Sequence, residues 1–234
     1  MKIPVLLSGL LILSSCQDAG QIQSMIKPAD QAGQLDEATI VSGLKEALNV
    51  GIKNAVKLTT KPDCFLNNAS IKIPIPVELK EWEDKLRAVG LSGQVNDFLY
   101  AMNCAADMAS AKSGDIFMDA VSKMTVQDAN NILKGQSDAA TVYLEKATRK
   151  SLYDLFAPII TQAMNEQGVT KLYNSLIEKY NAIPLVKPIT FNLADYVNNK
   201  ALDGIFYLLA QEEAKIRKDP AARVTDLLKK VFGS

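Results

Sequence analysis

Apolar residues recur at three- and four-residue steps along nearly the whole chain after about residue 35. That spacing predicts a succession of amphipathic helices. The first spans 37–58: Ile40, Val41, Leu44, Ala47, Leu48, Ile52, Ala55 and Val56 share one face, and Asp36 stands where an N-cap belongs. Leu35 with Ile40 fits a hydrophobic staple, and the opposite face carries the solvated row Lys45, Asn49, Lys53 and Lys57. Helical spacing returns at 77–89 (Leu79, Trp82, Leu86, Val89), at 94–111 (Val95, Phe98, Leu99, Met102, Ala106) and at 113–124. Thr125-Val126-Gln127-Asp128 has capping-box character and opens a short helix for Gly135 to close. Ser137 is placed to cap a long helix to about residue 166, with Leu144, Ala147, Leu152, Leu155, Ile159 and Ala163 inward and a kink or split at Pro158. Helices over 169–180 and 193–218 follow. Asp219-Pro220 then reads as a cap and first-position proline for a last helix ending at Gly233, with Lys229 and Lys230 in its final turn.

Two stretches interrupt this pattern. Residues 71–76 alternate and hold Pro74 and Pro76, and residues 184–191 hold Pro188. Both read as extended, at most edge strands, and the two are able to pair as one minor two-stranded ribbon. The expected fold is all-α: a single globular bundle of eight or nine helices.

The first residues follow another logic. Lys2 gives a positive start, and 3–13 is almost uninterruptedly apolar, the length of a signal h-region and too short to span a bilayer. It ends in Leu13-Ser14-Ser15-Cys16, which resembles the bacterial lipobox: an aliphatic residue, two small ones beside the scissile bond, then the cysteine whose thiol takes a diacylglyceryl group. Several acyl chains give stable anchoring where one is marginal. Residues 1–15 are therefore expected to be a lipoprotein signal peptide, with Cys16 the lipid-bearing N-terminus. Residues 16–34, with five Gln and no apolar periodicity, read as a flexible tether, and 35–234 as the all-helical domain. Gln17 follows the cysteine. In enterobacteria an Asp there retains a lipoprotein at the inner membrane, so the resemblance implies a periplasmic protein at the outer membrane rather than the inner, although Asp18 lies one place later.

Composition narrows the chemistry. Lys plus Arg and Asp plus Glu each number 26, a balance that argues against a nucleic-acid partner. Histidine is absent, which removes the usual general base, the partner of a Ser or Cys nucleophile, and the commonest zinc ligand. No phosphate loop, calcium loop or CxxC spacing is present, so no cofactor and no metal are expected. Cys64 and Cys104 remain as an even pair. In an oxidising compartment that is the arithmetic of a disulfide, with two buried free thiols as the alternative.

Two polar sets stand out. On the helix 193–218 the apolar stripe Ala201, Ile205, Leu208 continues through Glu212 to Ile216, so Glu212 points coreward and needs a partner. Glu213 stands four residues before Arg217, the order of a favourable exposed pair, and Arg223 and Asp226 lie close by. This set is either a salt-bridged joint fixing the last two helices or a polar pocket in which the arginines grip an anion and the carboxylates act as base or orienter. The second set, Asp138, Tyr143, Lys146 and Arg149, surrounds the start of the long helix, where a helix-terminal charge arrangement is the plainer reading.

Gly43-Leu44-Lys45-Glu46-Ala47-Leu48 with Gly51, Asp138-Ala139-Ala140-Thr141, Ala201-Leu202-Asp203-Gly204, Pro220-Ala221-Ala222-Arg223 and 226–233 together resemble the bacterial domain-of-unknown-function family 4197 over about residues 35–233. The resemblance implies an exported, helical, often lipid-anchored protein and carries no catalytic residues over. It also implies that Cys64 and Cys104 are a feature of this branch rather than a shared element. The function expected is a non-enzymatic, membrane-anchored periplasmic lipoprotein, an interaction or envelope-maintenance module. A binder of a lipid or other amphipathic ligand between helices, and a carboxylate-based cell-envelope enzyme using Glu212, Glu213 or Asp138, are the alternatives. Oligomeric state is left open.

Overall fold

The computed structural model describes residues 36–232. The leader, Cys16, the tether, the Leu35 staple and Gly233 lie outside the described residues. Asp36 caps α1 (Glu37–Thr59), its carboxylate accepting from the Thr39 N–H at 2.7 Å. There follow the single-turn α2 (Cys64–Asn67), a 3-10 turn over Val77–Leu79, and α3 (Lys80–Ala88). Next come α4 (Ser92–Ser110), α5 (Gly114–Ser122) and α6 (Val126–Lys134), then α7 (Ala139–Glu166), α8 (Val169–Asn181), α9 (Leu193–Lys218) and α10 (Asp226–Phe232). The all-α expectation holds, with nine helices longer than one turn among the described residues.

The long helices α1, α4, α7 and α9 pack on one another and carry most of the core. Leu44 and Ile52, Phe98 and Met102, Leu152 and Phe156, and Leu202 and Ile205 are all buried there. Full burial of one such side chain is worth about 1.5–3 kcal/mol. The capping box at Thr125 and Asp128 forms as the sequence predicts.

Four expectations change. The stretches at 71–76 and 184–191 do not form a ribbon; neither is a strand. The backbone of Ile73 pairs instead with one side chain, its N–H donating to Asn103 Oδ1 (2.8 Å) and its carbonyl accepting from Asn103 Nδ2 (3.0 Å). With Pro74 and Pro76 removing two donors, that amide satisfies the buried segment without a second strand. The helix α7 runs unbroken through Pro158, whose ring sits on the exposed face while Phe156 and Ile160 anchor the buried one. Its inward stripe includes Thr148 and not Ala147, because the Thr148 hydroxyl is satisfied by the Leu144 carbonyl at 2.6 Å. Finally, Pro220–Ala222 forms a 3-10 turn and the last helix begins only at Asp226.

Two glycines permit close approach. A Cβ on Gly43 would lie 2.4 Å from Val231 Cγ2 of α10, and one on Gly204 would lie 2.4 Å from the Phe65 ring. Both belong to the stretches that carry the family resemblance.

Candidate functional site

The helix α7 starts without a cap of its own: Asp138 precedes it, yet makes no side-chain bond to the first turn. The free N–H groups there need acceptors. Glu213, reaching across from α9, supplies them. Its Oε1 accepts from Ala140 N (3.0 Å), and its Oε2 accepts from Thr141 N and from the Thr141 hydroxyl (both 2.9 Å). Oε1 also takes Arg217 Nε (2.9 Å) and Nη2 (2.8 Å). The same guanidinium donates to the Ile132 carbonyl in the last turn of α6 at 3.0 Å. One ion pair on α9 thus sets a negative charge at the N-terminus of α7 and a positive charge at the C-terminus of α6, the favourable sense at each dipole end. Both partners are withdrawn from water, at 8% and 16% side-chain exposure, so the pair is buried where the sequence spacing suggested a surface one.

Glu212 does turn inward as the stripe predicts. Its partners are Lys215, one turn along, and Asn54 Nδ2 on α1 at 3.0 Å. Arg223 stays apart from the carboxylates. It caps the end of α9, donating to the carbonyls of Ile216 (3.1 Å) and Arg217 (3.0 Å). Asp226 is fully exposed and, among the described residues, pairs only with Lys229 (3.3 Å). Of the five residues, Glu213 and Arg217 therefore pair at the α6–α7 junction, Glu212 is buried separately against Asn54 and Lys215, Arg223 fastens the end of α9, and Asp226 does not take part.

The second set divides. Asp138, Tyr143 and Lys146 line a shallow open recess with Asp128, and burial followed by the Asp128 charge raises the Tyr143 pKa. Arg149 faces elsewhere, held by Glu145 and Asp203 at 2.6 Å each and lying 5.9 Å from the Phe206 ring centre. The cysteines carry free thiols, both half-buried. Among the described residues, no group of three or more acidic or Cys side chains is arranged to hold a metal.

Thr141, Ala140, Ile132 and Asn54 complete the junction, and helical periodicity singled out none of them. The sequence places Ser137 as the cap of this helix; instead Asp138 stands at the cap position without a side-chain bond to the first turn, and Glu213 supplies the acceptors. Beside the junction lies a cavity of about 20 Å³, walled by Leu44, Leu48, Leu144, Leu209, Glu213 and Arg217. That is room for one water molecule. A carboxylate accepting from five donor atoms has its lone pairs committed. As it stands this arrangement locks helices; it holds no unoccupied base.

No curated protein and no solved structure matches the chain. The family model described as "Protein of unknown function (DUF4197)" matches residues 34–233, most of the chain, and the chain belongs to that family.

Proposed function

We propose that the chain is an exported lipoprotein, tied to the membrane through Cys16, whose helical domain acts by binding another component of the envelope rather than by catalysis. The observation that carries this reading is the state of Glu213. The most buried acidic cluster is spent on capping α7 and pairing Arg217, so the residues best suited to acid–base work are structural. The lipobox-like Leu13-Ser14-Ser15-Cys16 supports the anchor. Among the described residues no helix is long and apolar enough to cross a membrane, which is consistent with attachment through lipid.

The test has two parts. Intact-mass analysis of the native protein is expected to find a chain beginning at an acylated Cys16, and Cys16→Ser to release the protein from the membrane fraction. An uncleaved leader or an unmodified cysteine overturns the anchor. Crosslinking in intact cells is expected to join the domain to a defined envelope protein; failure to recover one overturns the interaction role.

One observation favours ligand binding as a second reading. An open groove of about 690 Å³ runs between 74–80 and the start of α9, lined by Ile75, Val77, Phe191 and Tyr196 with Glu78 and Asp195 at its polar side. Its volume suits a small amphipathic molecule. Native mass spectrometry of protein extracted from its own membrane is expected to retain that ligand; a ligand-free mass removes this reading.

A further inference from the structure

Cys64 opens α2, and the following residue is tied to α4: Phe65 N donates to Asp107 Oδ1 at 3.1 Å. Cys104 lies three residues before Asp107 on α4, hence on the same helix face. Each thiol senses the Asp107 carboxylate, and Cys104 also senses Asp63, the residue immediately before Cys64. Tyr100 lies one turn before Cys104 on α4, and the neighbouring Cys104 and Asp63 hold its phenol well above its usual range. The Phe65–Asp107 bond thus seats the start of α2 against the stretch of α4 that carries Cys104, and both cysteines are half-buried with free thiols.

We propose that Cys64 and Cys104 are a bridging pair, joined in an oxidising compartment as a disulfide that staples α2 to α4. The inference rests on the export reading above, since export supplies the compartment. The chemistry is two exchanges with an oxidant of the disulfide class. One thiol, deprotonated, attacks the oxidant's sulfur and expels a thiolate, leaving a mixed disulfide. The second thiolate then attacks the protein sulfur of that mixed disulfide and expels the other half of the oxidant. Two thiol protons leave, one protein S–S bond forms, and the oxidant departs as two thiols. Burial raises the pKa of both cysteines, and the neighbouring carboxylates raise it further. The thiolate fraction at neutral pH is thus small, and an exchange catalyst rather than spontaneous reaction sets the rate.

The experiment alkylates native, membrane-extracted protein without reduction and maps its peptides. The expected result is a linked Cys64–Cys104 peptide, two hydrogens lighter than the separate thiols, which accepts alkylation only after reduction. The N-terminal peptide of the same sample reports acylation of Cys16, so failure of export is read separately. An acylated protein with both cysteines alkylated before reduction overturns the bridge. Should Cys16 prove unmodified, purified protein in a large excess of glutathione disulfide decides: linkage of the two cysteines supports the pair, and two separate glutathione adducts overturn it.

Discussion

Glu213 is unusual among the surface-capable residues because five donor atoms converge on it from three residues in two separate parts of the sequence. Glu213→Gln keeps the shape and removes the charge. A carboxamide turns an N–H₂ toward either Arg217 or the first turn of α7, leaving donors facing donors in the interior. The expected cost is about 3 kcal/mol, the range for breaking a buried pair on one side only, read as a lower urea midpoint. Replacing both partners, Glu213→Leu with Arg217→Met, is expected to cost less than the sum of the single changes, because neither charge is stranded. Asp107 behaves in the opposite sense. Burial raises its pKa from 3.8 to about 6, with the Asp63 charge adding and the bonds from Phe65 and Cys64 opposing. The folded state therefore holds a proton more tightly than the unfolded one. The stabilisation is fully present below the unfolded value and is lost as pH rises through about 6. Asp107→Asn keeps the oxygen for Phe65 N without the buried charge. It is expected to stabilise the protein at pH 7.5 by about 1 kcal/mol, discounted for partial exposure, and to flatten the change in urea midpoint between pH 5 and 7.5. Identical pH profiles for the two proteins would rule this out.

Single helices follow the three- and four-residue rhythm closely: α9 spans the expected 193–218 to the residue, and α1 differs by one. Rhythm reports which face is apolar, and that was enough to find every long element. It does not report distance between elements, and the departures all arise there. The 71–76 stretch looked like half of a ribbon because its missing partner is a side chain, Asn103, embedded in the apolar run of α4. Gly43 makes the same point quantitatively. Within an isolated helix, Gly→Ala gains about 1 kcal/mol from propensity. Here the added methyl would meet Val231 Cγ2, and α10 cannot stay seated on α1 without shifting. Gly43→Ala is therefore expected to destabilise the protein and to raise amide exchange selectively over 226–232. Val231→Ala introduced beside it is expected to restore most of the protection, since it removes the methyl that clashes and leaves a tight 3.1 Å contact to the Cβ of residue 231. A Gly43→Ala protein more stable than the parent would show that α10 does not press on this face.

At the scale of the molecule, the site was legible as a list of residues and illegible as an arrangement. Glu212, Glu213, Arg217 and Arg223 were all identified, yet the partners of the first three lie on α1, α6 and α7, up to 158 residues away, and only folding brings them together. The separation has a consequence for behaviour in the cell. If the anchor is a property of residues around Cys16 and stability a property of the Glu213 junction, the two fail independently. Cys16→Ser is expected to move the protein from the membrane to the soluble fraction while leaving its urea midpoint unchanged. Glu213→Gln is expected to do the reverse, lowering the midpoint and the steady-state amount, because about 3 kcal/mol raises the unfolded fraction roughly a hundredfold, while whatever remains folded stays with the membrane. Fractionation and quantification of both variants in the same cells reads the two effects together. A Glu213→Gln protein that appears soluble at normal abundance would mean that the folded domain itself contributes to membrane attachment, and that lipid on Cys16 is not the sole tie.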